Sequence, residues 1–157
     1  LVGRNGCGKS SLLKLLIGQP IAHTGTLEIG SRLTVSYVPQ DMSFLSGSAD
    51  DFAAESEIDI TLFKTILRKL DFKRTQFTKD MSEFSMGQKK KVLLARSLCQ
   101  RANLYIWDEP LNYIDVISRL QIETLILEYK PTMLFVEHDE AFVNDIATKV
   151  CRISLNQ

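Results

Sequence analysis

Gly3-Arg4-Asn5-Gly6-Cys7-Gly8-Lys9-Ser10 is a complete G-x-x-x-x-G-K-[ST] run, and its reading decides the fold. Glycines at these spacings let backbone N–H groups turn inward around a phosphate. The lysine adds a point charge on the outer phosphates, and the serine offers its hydroxyl to Mg²⁺. Such a loop joins the end of a strand to the start of a helix, whose free N–H groups and positive dipole end extend the anion site. Leu12, Leu13, Leu15, Leu16 and Ile17 supply the apolar residues of that helix, over 9–17, and Gly18 and Pro20 stop it. The residues expected around a nucleoside triphosphate are therefore Gly3, Arg4, Asn5, Gly6, Cys7, Gly8, Lys9, Ser10 and Ser11, with Ser10 also a metal ligand.

The rest of the chain supports one ordinary globular domain. Its 157 residues are 45% hydrophobic, enough for a sizeable core. Nineteen basic residues balance nineteen acidic ones, so no global field draws the chain to nucleic acid or to an anionic membrane. Cys7, Cys99 and Cys151 are odd in number and widely spaced, which argues against a disulfide framework or a structural zinc and points to a reducing cytoplasm. Cys99 and Cys151 lie in apolar patterns and are expected in the core, whereas Cys7, beside Lys9 at a helix start, is expected to have a lowered pKa and to be open to alkylation. No apolar run reaches the length of a membrane span, so any membrane involved must be crossed by another chain.

Along the chain, 26–29 and 33–38 are β-rich runs around Gly30-Ser31 and predict a hairpin or two neighbouring strands. Residues 41–57 turn acidic and small, predicting a surface loop with at most one short turn of helix; 58–70 returns to helical spacing. Residues 87–99 predict a helix with Lys89, Lys90 and Lys91 in its first turns, placed to face phosphates or solvent. The run 104–107, closed by Asp108-Glu109-Pro110, predicts a strand buried on both faces. A helix over 116–129, a strand over 132–136, a helix over 139–146 and a strand over 149–155 complete the pattern. Strands alternating with helices imply a mostly parallel α/β sheet flanked by helices.

The C-terminal ends of such strands are where ligands bind, and Asp108 and Glu109 arrive there together. Asp108 suits a Mg²⁺ shell and Glu109 the polarisation of an attacking water. His138 follows the next strand and should reach the same edge. Phosphate loop, Ser85-Met86-Gly87-Gln88, Leu104 to Glu109, Leu111 to Asp115 and Glu137-His138-Asp139 occur in that order. In that order they resemble the nucleotide-binding domain of an ABC ATPase. The run Asp108-Glu109-Pro110-Leu111-Asn112-Tyr113-Ile114-Asp115 is similar to the E-P-T-N-H-L-D element of ABC-F proteins, which carry two such domains on one chain and no membrane spans.

The resemblance implies a P-loop NTPase of ABC type, with an ATPase core over 1–40 and 100–157 and an inserted helical subdomain over 41–99. It implies ATP and Mg²⁺ as cofactors, and Gln40 as the glutamine that touches the metal or water and senses the γ-phosphate. His138 becomes the switch histidine, catalytic with Glu109 and Gln40. Ser85, Gly87 and Gln88 become the signature, which acts on the ATP of a facing domain, with Asp115 in the same composite site. Met86 stands where the family commonly has glycine, and a side chain there would tune or weaken the facing site. The implied partners are a second ABC ATPase domain and the ribosome, in the cytoplasm, with a role as a translation factor or in antibiotic resistance by ribosome protection; the alternatives are the ATP-binding subunit of an ABC membrane transporter, coupled to transporter subunits, and a non-transport ABC ATPase acting in DNA repair or as a plain scaffold. Only Leu1 and Val2 of the strand leading into the phosphate loop are present, so the chain reads as a truncated cassette, weakly active by itself, with a loosely held loop.

Overall fold

A computed structural model of the chain describes residues 1–154. Its helices are α1 (Lys9–Leu16), α2 (Ala49–Glu55), α3 (Ile60–Lys69), α4 (Met86–Cys99), α5 (Val116–Tyr129) and α6 (Glu140–Ile146). Its strands are β1 (Val35–Val38), β2 (Leu104–Asp108) and β3 (Met133–Val136). The strands form one parallel sheet in the order β1-β2-β3, with Val38 opposite Trp107 and Asp108 opposite Val136. All three strands therefore end at one edge. Short parallel strands buried on both faces are near-continuously apolar, as Leu104 to Trp107 and Met133 to Val136 are.

Successive strand residues face opposite layers. Ile106 and Val136 pack with Leu13 of α1 on one face. Val38, Trp107 and Phe135 join a larger core on the other, which runs through α4 to Phe63, Leu67 and Ala53 and across to Ile122 and Phe142. The Trp107 indole N–H donates to Ser97 Oγ at 2.9 Å, so the largest core side chain leaves no polar atom unpaired. Each later helix starts on a side-chain cap: Ser48 for α2, Asp59 for α3, Ser85 for α4, Asp115 for α5 and Asp139 for α6. Arg119 of α5 ties α6 down by a bidentate pair with Asp139 at 2.6 and 2.8 Å.

Four expectations are corrected. Residues 26–29 form no strand: Leu27, Ile29 and Leu33 stay exposed, and a two-stranded ribbon with no face to bury gains too little to form. The acidic stretch 41–57 holds α2, started by the Ser48 cap with Asp50 and Asp51 in the first turn, and it buries Met42 and Leu45. The strand expected over 149–155 reduces to one parallel bridge between Val2 and Arg152, with Leu155 outside the described residues. Cys151 is exposed and Cys99 only half-buried, although burial still pushes the Cys99 thiol up to about 11.

Lys91 of α4 meets Asp115 at 2.6 Å, and the same carboxylate accepts from the Ser118 N–H and hydroxyl. Partial burial alone would raise the Asp115 carboxyl; the bonds from Lys91 and Ser118 outweigh it and hold it at about 2. A folded-state value below the ordinary carboxylate value means stability present above about pH 4 and lost as pH falls toward 2. Because the side chain is 45% exposed, water screens much of the gain. Asp115→Asn should therefore cost about 0.5–1 kcal/mol at neutral pH. Urea melts should show that gap narrowing steadily below about pH 4.

Candidate functional site

The phosphate loop leads into α1 through Gly8, whose φ of 92° lies in the left-handed region that glycine enters without strain. No side chain caps α1, so its first N–H groups point outward unpaired by any capping oxygen. Lys9 is buried, and its ammonium donates to the carbonyls of Gly3 (2.9 Å) and Arg4 (3.1 Å) from inside the loop. Positive charge and free N–H donors thus converge on one concave surface, which is what an anion requires.

That surface is one wall of a cleft of 540 Å³. The loop lines it with Asn5, Gly6 and Gly8 to Ser11, and the opposite wall is Gln40, Glu109, Asn112 and His138. Gln40 follows β1, Glu109 follows β2 and His138 follows β3, so the shared sheet edge brings all three expected catalytic residues to the phosphate loop. Glu109 Oε2 accepts from Gln40 Nε2 at 2.9 Å and from Asn112 Nδ2, and Oε1 lies 3.5 Å from His138 Nε2. Its backbone is left-handed, φ 50°, and is held there by its N–H donating to Val136 O at 3.0 Å. A non-glycine residue in that region costs about 1–2 kcal/mol, a strain that persists only where the surroundings fix it.

Asp108 is 1% exposed, and neither carboxylate oxygen has a hydrogen-bond partner. Burial pushes its carboxyl up; the nearby Ser10 hydroxyl opposes this but without good bonding geometry, Glu109 adds to the rise, and Lys90 and Lys14 oppose it. Asp108, Ser10 and Gln40 also line a neighbouring cavity of 560 Å³. An unpaired carboxylate, a hydroxyl and an amide oxygen are a hard-oxygen donor set that fits Mg²⁺, which takes one or two protein carboxylates and completes its shell with phosphate and water. No group of three or more His, Cys, Asp or Glu residues among the described residues could hold a metal ion by itself.

The other expected site residues lie elsewhere. Gly3, Arg4 and Cys7 line an adjoining cavity of 1490 Å³ beside Arg152, which shares His138 with the cleft. Cys7 is buried, contrary to the expectation of an accessible thiol. Ser85 and Gln88 form a reciprocal capping box at the start of α4 (3.3 and 2.9 Å), and neither they nor Gly87 line the cleft. A Cβ on Gly87 would stand 2.5 Å from the Tyr113 carbonyl oxygen, so glycine is required there by close backbone approach. The Met86 side chain is exposed. Asp115 does not reach the cleft; it pins the start of α5 to Lys91.

Three side chains carry more than their motifs suggested. Lys90 and Lys91 face neither phosphate nor solvent: both are buried, Lys90 against the strand ends and Lys91 on Asp115. Glu137, also buried, accepts from the N–H groups of His138 (2.7 Å), Leu111 (3.2 Å) and Asp139 (3.4 Å). It thereby ties the turn bearing His138 to the loop after Glu109.

Comparison with known proteins agrees with this geometry. The family model described as "ABC transporter" matches residues 1–112. YdiF of Bacillus subtilis is 37% identical over 98% of this chain and 25% of its own length. "ABC transporter F family member 2" of Arabidopsis thaliana is 30% identical over 98% of this chain and 24% of its own. The chain thus spans about a quarter of the length of these relatives. Among solved structures, the complex of archaeal ribosomal stalk protein aP1 with archaeal ribosome recycling factor aABCE1 superposes with a TM-score of 0.73 and 28% identity. The superposition covers 92% of this chain and 29% of that one.

Asp108→Asn removes an unpaired buried charge and should leave the nucleotide-free protein as stable as the parent or more so. The same variant should lose the extra thermal stabilisation that Mg²⁺ adds to ATP. Melting curves with ATP in EDTA and with ATP and Mg²⁺ check both outcomes, and a full Mg²⁺ effect in the variant would remove Asp108 from the metal site.

Proposed function

Because this chain belongs to the ABC transporter family and its relatives include F-type members, we propose that it is an ATP-binding and ATP-hydrolysing cassette of ABC-F type, closing on a second cassette and acting on the ribosome. The observation that carries this reading is the set of contacts holding Glu109 across the cleft from Lys9 and Ser10. The loop N–H groups and Lys9 bind and orient the triphosphate. Glu109, fixed by Gln40 and Asn112, accepts the proton of the attacking water, and His138, on the same wall of the cleft, would contact the γ-phosphate. Ser10, Asp108 and Gln40 would hold Mg²⁺, which when bound neutralises charge on the phosphates.

Two features support a paired arrangement. The signature segment Ser85–Gln88 lies outside its own chain's cleft, as a segment serving a facing site would. Beside it, Tyr113, Val116, Ile117 and Leu120 present an exposed apolar strip that a second cassette would cover. Support for the ribosome comes from the similarity to the archaeal ribosome recycling factor aABCE1 in its complex with stalk protein aP1, and from the resemblance of 108–115 to the ABC-F element. The Asn112 contact to Glu109 gives a physical role to the residue that this element shares with the ABC-F pattern.

Glu109→Gln should lower ATP turnover ~10²- to 10⁴-fold, since it removes a positioned base, while leaving ATP affinity within a few-fold. The trapped variant should co-sediment with ribosomes in ATP and not in ADP. Wild-type turnover in the variant would sink the assignment of Glu109, and absence from the ribosome pellet in ATP would sink the partner.

A further inference from the structure

Lys90 is fully buried, on the second turn of α4, and no part of the proposed chemistry uses it. Its ammonium donates to two carbonyls, Pro39 O at 3.3 Å and Asp108 O at 3.4 Å. Pro39 immediately precedes Gln40, and Asp108 immediately precedes Glu109. One cation therefore spans the ends of two adjacent parallel strands, immediately before the two residues, Gln40 and Glu109, that hydrogen-bond each other in the cleft. Burial works against its charge, and the charges of Asp108, Glu109 and Glu137 work for it. A buried ammonium is disfavoured against an apolar side chain of similar size unless its donors are needed. The helix that carries it begins at the signature segment, so displacement of Ser85–Gln88 acts on Lys90 through one rigid turn.

We propose that Lys90 is a positioning residue for hydrolysis, clamping the carbonyls of Pro39 and Asp108 so that Gln40 and Glu109 stay in register and follow the signature-bearing helix. The proposal rests on the ATPase reading above. Lys90 does not touch the nucleotide; it acts through Glu109, and its loss should appear in turnover and not in binding.

In the full-length protein, Lys90→Met should lower kcat about 10- to 100-fold, the scale of a misplacement near 1 Å, with KM for ATP unchanged within about twofold. Lys90→Arg, which keeps charged donors, should recover most of that loss. In a Glu109→Gln background, Lys90→Met should add no further loss, because the carboxylate it positions is already gone. Hydrogen exchange needs no turnover and should quicken at 39–41 and 108–110 in Lys90→Met while 60–69 keeps its protection. Should Lys90→Met fail to fold, Lys90→Gln, which keeps an uncharged donor, enters the same cycle and should show the same pattern of losses. Wild-type kcat in the variant, an equal further loss in the Glu109→Gln background, or unchanged exchange at 39–41 and 108–110 would each overturn the proposal. If the parent itself neither binds nor hydrolyses ATP, the functional reading fails, and the exchange result still decides whether Lys90 holds the two strand ends.

Discussion

The Asp108 carboxylate ends the central strand almost completely out of water, with neither oxygen hydrogen-bonded, and the surrounding structure is arranged to tolerate it. A strand end in a parallel sheet is where such a group can be aimed at a ligand, but in a small protein an unpaired buried charge costs several kcal/mol. Partial compensation comes from Lys90, Lys14 and the Ser10 hydroxyl, none of which pairs with it directly. Under the proposed function, an unsatisfied carboxylate beside a phosphate loop would be stability given up for a cation that arrives with substrate. That constraint explains why the layers on both sides of β2 are so apolar: Leu13, Ile106 and Val136 on one face and Trp107, Val38 and Phe135 on the other hold a strand whose last residue opposes folding.

The loop that follows has the second difficult task, which is to turn a carboxylate out of the strand and into the cleft. It does so with two left-handed residues, Glu109 and Tyr113, and with contacts on every side. Val136 O takes the Glu109 N–H, Glu137 takes the Leu111 N–H, the Tyr113 carbonyl rests on Gly87, and Asp115 is fixed by Lys91. Strain of this kind persists only when it is over-determined, and here β3, α4 and α5 all contribute to fixing it.

Much of this was legible in the chain. An apolar run closed by Asp-Glu-Pro locates β2, and the glycine pattern before Lys9 locates the anion site. Parallel strands end at one edge, so placing Glu109 and His138 together needed only their position after each strand, whereas Gln40 was pointed to by the family resemblance. Other features were hidden for physical reasons. Residues 26–29 have strand chemistry but no surface to pair with, and propensity without a partner does not fold. The start of α2 carried a readable signal, Ser48 followed by Asp51, masked by acidic composition. Lys89-Lys90-Lys91 looks uniform as a string, yet consecutive residues on a helix point about 100° apart, so one triplet can turn one ammonium to the strand ends and the next to a carboxylate.

That last difference bears on how two sites could be linked. The segment proposed as the signature and the residue proposed to carry the hydrolytic carboxylate are twenty-four positions apart in sequence, from Ser85 to Glu109, but they are joined by short, stiff paths. One runs from Gly87 to the Tyr113 backbone, one from Lys91 to Asp115, and one from Lys90 to the ends of β1 and β2. All three start within two turns of α4, a helix that is buried from Lys90 to Ala95 and has little freedom to bend. A force on the start of α4 must therefore move the loop after β2 as well, since a close-packed helix transmits displacement more readily than it absorbs it. Under the proposed pairing of cassettes, the ATP held by a facing domain would press on that helix start. The geometry of Glu109 would then depend on occupancy of a site to which it contributes nothing.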